Sequence, residues 1–297
     1  MSQLFSVNPF DDFTLLDQIH KSTFSIYKVF IPAHNKYYAL KVFPFINGKV
    51  SNNFLSEARL ASFNHPNIIS IKNCEFSCKS IFKESSLIFM EYALYGDFVD
   101  LVETGKFLND EKLIRTYFRQ LVNGLEYLHR HDVAHMDIKL ENLLLGKDLN
   151  LKIIDFEFST IKGKSFVKGK GTPHFRAPEV RAKNCQNPKA ADIYSMGIVL
   201  FTLLTGSLPY FEDEVYEGED LFELLKENKT KFWEIHEKRL GGSFKFDSDL
   251  KELFCSLVHI DPKRRANFDQ IRKNPWFKGP IYNTEELEAI WASEESQ

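Results

Sequence analysis

The chain has 297 residues, 43% hydrophobic and 27% charged, with a formal net charge of −3. That is enough apolar material for one large domain or two lobes and too much for a disordered chain, and the charge is too weak for a surface that binds nucleic acid throughout. Four cysteines (Cys74, Cys78, Cys185, Cys255) are too few for a disulfide scaffold, and the Cys74/Cys78 pair has no second ligand pair at zinc spacing, so reduced thiols and a cytoplasmic setting are expected.

The opening stretch "MSQLFSVNPFDDF" has no charged start followed by a long apolar run, and it does not read as a signal peptide. From Phe13 to about Tyr92 come short β-rich runs, "SIYKVFI", "KYYALKVF", "IISIKNC" and "LIFMEY", interrupted by one helix-like stretch, "NNFLSEARLASF". After Gly96 the period becomes helical: Leu113, Tyr117, Leu121, Leu125 and Leu128 recur at spacings of three and four and make one apolar stripe. The run "MGIVLFTLL" (196–204) is far shorter than the ~20 residues that span a bilayer, so no membrane partner is expected. The tail "NTEELEAIWASEESQ" has an Asn/Thr start, early acids and Leu287, Ile290 and Trp291 on one face, the pattern of a short capped helix. Its apolar face has two possible uses, docking on its own domain or recruiting a partner. The expected architecture is α+β and bilobal: a small β-rich lobe with one main helix over about 13–91, a hinge at about 92–96, a larger helical lobe over about 97–278, and a tail helix within 279–297. No repeat divides the chain further.

Chemistry enters where polar residues interrupt these patterns. In "YYALKVF" the strand period of two puts Ala39 and Lys41 on one face, where the lysine could reach the phosphates of a ring stacked near the alanine. Glu57, on the following helical stretch, could orient Lys41 by an ion pair. Farther on, "HMDIKLEN" spaces Asp137 and Asn142 five residues apart, and "LKIIDFEFS" ends an apolar strand on Asp155. Oxygen ligands from two loops suit Mg²⁺, which takes its remaining ligands from phosphate and water. Two other nucleotide motifs fail: "GKS" at 163–165 has Phe158 where a P-loop needs glycine, and "GKGTPH" ends on His174 where a dinucleotide loop needs a small residue.

Over roughly residues 13–278 the chain resembles a eukaryotic protein kinase of the serine/threonine type, most like the calmodulin-dependent and AMP-activated branch. The resemblance implies a bilobal kinase fold, ATP and Mg²⁺ as cofactors, and Ser/Thr acceptors in protein substrates. Carried across residue by residue, it makes Asp137 the catalytic base, Lys139 a neighbour of the transferred phosphate, and Thr172 of "GTPHFRAPEV" their support. Asn142 and Asp155 become metal ligands. Lys41, Glu57, Ala39, Ile19, Tyr27, Glu91, Ala93 and Asp97 become the nucleotide-binding set, with Tyr27 where a valine usually roofs the adenine. Glu179 is expected to pair with Arg265, and Asp192 to brace the catalytic loop. Asp97 and Glu141 match positions where acids meet a basic residue upstream of the acceptor, so Arg or Lys about three residues before the acceptor is expected. The acids of "YFEDEVYEGED" (Glu212, Asp213, Glu214, Glu217, Glu219, Asp220) are read either as an extension of that basic-peptide site or as a solvated loop. A monomer is expected.

The chain departs from the family at several places. The phosphate loop "IHKSTFSIY" carries His20, Ser22 and Ser25 where glycines let amides approach phosphate. After Asp155 and Phe156 stands Glu157 in place of glycine; it is read either as a group near the metal or as a solvent-facing side chain. Ala61 replaces a larger apolar residue one turn beyond Glu57, which implies a less firmly supported helix. Met136 replaces the arginine that pairs with a phosphorylated activation segment, and the segment itself carries Lys162, Lys164, Lys168 and Lys170 with no threonine where Lys168 stands. The expectation is activity independent of segment phosphorylation. The alternative is a pseudokinase that kept the fold as a nucleotide-binding or scaffold module.

Overall fold

In the computed structural model, residues 8–21, 24–78, 82, 84–161, 171–211, 215–216, 218–242 and 245–292 are described. The first third forms a five-stranded sheet in the order β1 (Thr14–Lys21), β2 (Ser25–Ile31), β3 (Lys36–Pro44), β5 (Ser85–Glu91), β4 (Ile71–Cys78), all antiparallel. The helix α1 (Asn52–Ala58) lies in the connection from β3 to β4. Alternation divides the strands between two cores. On the outer face Val29, Ile31, Tyr38, Leu40, Val42, Leu87 and Phe89 pack together, and the N-terminal segment crosses them with Phe10, whose ring meets His34, Tyr38 and Phe89 at 5.0–5.4 Å. On the inner face Phe24, Ala39, Phe43, Ile88 and Met90 join the main core.

The predicted "NNFLSEARLASF" helix forms in two pieces. Ser51 caps α1 by accepting from the Asn53 amide, and after Ala58 the chain tightens to a 3₁₀ turn over Arg59–Ser62. Ala61 therefore lies beyond the α-helix and is exposed, while Leu60 supplies the packing there. The strand read over "IISIKNC" starts later than the pattern suggests. Ile68 and Ile69 instead tie the small lobe to the large one, through Ile69 N–H to the Ile153 carbonyl (3.1 Å) and Ile153 N–H to the Asn67 carbonyl (3.0 Å). β1 was hidden in the sequence because Asp17 and Gln18 break its apolar alternation.

The large lobe continues with α2 (Phe98–Glu103), α3 (Glu111–Arg130), the short strands β6 (Val133–Ala134), β7 (Leu143–Leu145), β8 (Leu151–Ile153) and β9 (Thr160–Ile161), then α4 (Pro178–Arg181) and α5 (Pro188–Thr205). The stripe Leu113, Tyr117, Leu121, Leu125 and Leu128 of α3 is buried against the rest of the lobe. α5 is buried around its whole circumference from Ala190 to Leu203, which makes it the central helix of the lobe, capped by the Asn187 side chain and ended by Gly206 at φ 71°. The chain continues with α6 (Leu221–Glu227), α7 (Lys229–Arg239), α8 (Ser248–Leu257), α9 (Phe268–Lys273) and α10 (Pro275–Lys278), of which α7 and α8 set Phe232, Trp233 and Phe254 around Phe201 of α5. No helix among the described residues is long and apolar enough to cross a membrane.

Two arginines one turn apart on α3 tie the tail to the lobe. Arg115 donates to the carbonyls of Trp276 (2.7 Å) and Pro280 (3.0 Å), and Arg119 to those of Phe277 (2.7 Å) and Gly279 (2.8 Å). The chain then forms α11 (Thr284–Ala292), which docks on its own lobe. Trp291 is 1% exposed, donates its indole N–H to the Tyr117 hydroxyl (2.9 Å), and lies 5.4 Å from the Tyr95 ring of the hinge. Lys112 pairs with Glu286 (2.7 Å), and Lys106 sits 4.3 Å over the Trp291 ring.

Candidate active site

The loop between β6 and β7 is shaped by one buried carboxylate reaching up from α5. Asp192 accepts from the amides of His135 (2.8 Å) and Met136 (2.7 Å) and bonds the His129 ring nitrogen (2.8 Å). Three partners satisfy a group that would be costly to bury alone. They also hold Met136 at φ 69°, a left-handed conformation that a side chain rarely adopts unless its surroundings impose it. The Met136 side chain is buried in the core rather than offered to a phosphate. His135 is fixed as well: its Nε2 meets the Ile154 carbonyl (2.8 Å) and its ring stands edge-on to Phe156 at 4.9 Å.

This frame presents Asp137. Its Oδ1 accepts from the Thr172 amide (2.7 Å) and hydroxyl (3.1 Å), its Oδ2 accepts from Asn142 Nδ2 (3.0 Å), and Lys139 Nζ lies 3.5 Å from Oδ2. Asn142 spends its amide nitrogen here and on the Asp137 carbonyl (2.8 Å), which leaves its oxygen for another ligand. The approach of Thr172 depends on Gly171, at φ 91°, where a Cβ would come within 2.6 Å of the Met136 carbonyl oxygen. Arg176 secures that glycine by donating Nε–H to its carbonyl (2.6 Å). Sequence reasoning passed over Arg176, since only the fold brings it back onto Gly171. Glu179 and Arg265 form a two-pronged ion pair (2.6 and 2.7 Å) that anchors the end of the segment.

Across the cleft Lys41 pairs with Glu57 and with Asp155 Oδ1 (3.0 Å). Burial opposes the lysine's charge, but Glu57 and Asp155 outweigh it and hold its pKa above the ordinary range. Burial raises Glu57 to about 7, despite Lys41. Asp155 works against its own burial and is lowered, chiefly by Lys41. The arrangement is one cation holding two acids from different elements. Among the described residues no cluster of three His, Cys, Asp or Glu side chains could hold a metal by itself. The Asn142 oxygen and the Asp155 carboxylate fit Mg²⁺ only as a partial set completed by phosphate and water.

Several predicted positions turn out differently. Tyr27 does not roof the cleft: it pairs with Leu40 on the outer face and packs 5.1 Å from Phe82. Ile26, paired with Lys41, takes the inner face. The bulge in β1, where Ile19 and His20 stand opposite one residue of β2 (Gln18↔Tyr27, then His20↔Ile26), leaves these faces unchanged, because β2 pairs with β3 without a register shift. Ile19 itself is 44% exposed. Strand structure runs to Lys21 and resumes at Ser25, so most of the stretch read as a phosphate loop belongs to β1 and β2; Ser22 and Thr23 lie outside the described residues. Phe24 folds inward to Phe43 (4.6 Å), with Lys41 Nζ 5.4 Å from its ring.

Ala39 faces inward as read, opposite Met90. Glu91 turns its carboxylate to the Ser70 amide (2.9 Å), with Lys152 3.6 Å away, so only its backbone can serve a ligand in the cleft. Ala93 lies in the irregular stretch that follows. Asp97 caps α2, one oxygen accepting from Val99 (2.9 Å) and Asp100 (3.1 Å), and pairs in a short bridge with Leu144, just beyond the exposed Glu141. Of the acidic loop, Glu219 pairs with Lys231, and Asp220 caps α6 by accepting from the Glu223 amide at 3.0 Å. Glu212, Asp213, Glu214 and Glu217 lie outside the described residues, as do Lys162, Lys164, Ser165, Lys168 and Lys170. Glu157 is partly buried. Its Oε1 accepts from Asn53 Nδ2 at 2.7 Å.

A family model described as protein kinase domain matches residues 21–277. CBL-interacting protein kinase 31 from Oryza sativa subsp. japonica is 33% identical over 219 residues, covering 72% of this chain and 44% of that protein. Serine/threonine protein kinase OSK3 from Oryza sativa subsp. indica is 31% identical over 226 residues, covering 74% and 40%. A probable serine/threonine-protein kinase from Dictyostelium discoideum is 32% identical over 220 residues, covering 72% and 24%. The chain belongs to the protein kinase family. It spans less than half the length of these curated relatives.

Proposed function

We propose that this protein is an active serine/threonine kinase that transfers the γ-phosphoryl group of Mg·ATP to protein substrates. The observation that carries the reading is Asp137, held at one oxygen by Thr172 and at the other by Asn142, with Lys139 3.5 Å away. Phosphoryl transfer needs positioning and charge stabilisation more than covalent help from the protein. Asp137 would accept the proton of the attacking Ser or Thr hydroxyl, and Lys139 would face the charge on the transferred group. Lys41, kept charged by Glu57 and Asp155, would hold the remaining phosphates. Asn142 and Asp155 would hold the magnesium, which supplies charge neutralisation between phosphates when bound. The pseudokinase alternative has its support in the glycine-free hairpin, but every charged residue with a chemical role is present and paired. Asp97 and Glu141, which match the family positions where acids meet a basic residue, favour a basic residue upstream of the acceptor. Met136, buried and without charge, favours activity that does not wait for segment phosphorylation. The test is thermal stabilisation by Mg·ATP followed by radiolabelled transfer to a Ser/Thr peptide. Stabilisation with transfer is expected, and stabilisation without transfer would make the chain a binding module.

A further inference from the structure

Helix α1 has only seven residues before it tightens into a 3₁₀ turn, and a helix of that length has little stability of its own. Its placement must come from what it touches. Phe54 anchors it in the core, with no exposed surface. Two polar residues at helical spacing, Asn53 and Glu57, face the cleft from successive turns. Glu57 holds Lys41, Lys41 holds Asp155, and two residues beyond Asp155 the side chain of Glu157 returns to Asn53 at 2.7 Å. The contacts close a ring: β3 to α1, α1 to the strand end that carries Asp155, and back to β3. Glycine at 157 would leave that ring open, with α1 tied to the cleft only through Glu57.

We infer that Glu157 and Asn53 form a latch, and that both are positioning residues keeping Glu57 on Lys41 and Asp155 in register during phosphoryl transfer. This rests on the kinase reading for its effect on rate but not for its effect on α1. The bond joins a neutral amide to a carboxylate, the stronger kind of hydrogen bond, and it lies in a partly buried site where water competes poorly.

The test compares Glu157→Gly, Asn53→Ala and the double variant in the full chain, by steady-state transfer to a Ser/Thr peptide, by hydrogen exchange of residues 52–58, and by thermal unfolding. Each single variant should lower kcat by roughly tenfold, with peptide KM unchanged within about twofold, and the double variant should be no worse than either single. Amides of 52–58 should lose protection in all three while the global melting temperature stays close to wild type. Glu157→Gln keeps an acceptor oxygen and should recover most of the rate, whereas Asn53→Asp sets two carboxylates face to face and should do no better than Asn53→Ala. Losses that multiply in the double variant, or an Asn53→Ala variant with wild-type rate and wild-type exchange, would overturn the latch. A wild-type protein that transfers no phosphate would instead remove the kinase reading, and the exchange data would still decide whether the latch exists.

Discussion

Asp137, Asn142, Asp155, Lys41 and Glu57 could be singled out in the sequence because polar residues interrupt apolar runs there and together match the motifs of the protein kinase family. Orientation within the β1–β2 hairpin could not. A one-residue shift in register exchanges the two faces of a strand and no residue type announces it: Tyr27 stands opposite Leu40 on the outer face and Ile26 opposite Lys41 on the inner one. The difference is measurable. Ile26→Ala should weaken nucleotide binding by about fivefold, from about 1 kcal/mol of lost apolar contact. Tyr27→Ala should leave nucleotide affinity alone and lower the melting temperature through the lost packing on Phe82. Equal loss of affinity in the two variants would contradict the assigned faces. Arg176 and Asn53 were illegible for another reason: their partners, Gly171 and Glu157, are defined only by the fold, the second 104 residues away.

Among the elements, helices with long apolar stripes were read almost to the residue. α3, from Glu111 to Arg130, spans the whole predicted stripe from Leu113 to Leu128. Weakly patterned elements were not: β1 was missed, and the onset of β4 was displaced because Ile68 and Ile69 are apolar for an inter-lobe contact. The tail helix left its partner open, since three apolar side chains on one face do not say what covers them; it docks on α3 and the hinge. Trp291→Ala should therefore cost about 3–5 kcal/mol in denaturant unfolding, and a loss under about 1 kcal/mol would mean that the docked helix adds little stability. Glu237 of α7 ties that helix to Lys245 and to Lys251 of α8. Glu237 is buried, and although burial pushes its carboxyl up, bonds from Lys245, Lys251 and the Phe246 amide outweigh this and hold it at about 2. With a lowered folded pKa, its contribution is present above about pH 4.5 and is lost as pH falls toward 2. Wild type should lose melting temperature over that window more steeply than Glu237→Gln, which should start lower at neutral pH. Parallel acid profiles would show that the carboxylate does not carry this stability.

For the whole molecule, the change from a period of two to a helical period gave the two-lobed arrangement. What it could not give is the closure of the lobes on each other, which Lys41–Asp155 and Ile69–Ile153 supply. Closure is what turns separate polar residues into a site, and it carries two expectations about regulation and substrate choice. Replacing Ser159, Thr160 and Ser165 with alanine should change activity only modestly, and phosphatase treatment should do little; collapse after either would mean that a phosphate is required after all. On peptide arrays, Arg or Lys about three residues before the acceptor should be preferred, with rates falling as salt screens Asp97 and Glu141, and selectivity that survives alanine at both acids would remove them from recognition. The central claim, that Asp137 serves phosphoryl transfer, is tested most directly by single-turnover transfer of radiolabelled phosphate from Mg·ATP by wild type and Asp137→Asn, matched for melting temperature and nucleotide affinity. The account predicts unchanged binding and a rate lower by ~10²–10⁴-fold in the variant. Equal rates in the two proteins would contradict it.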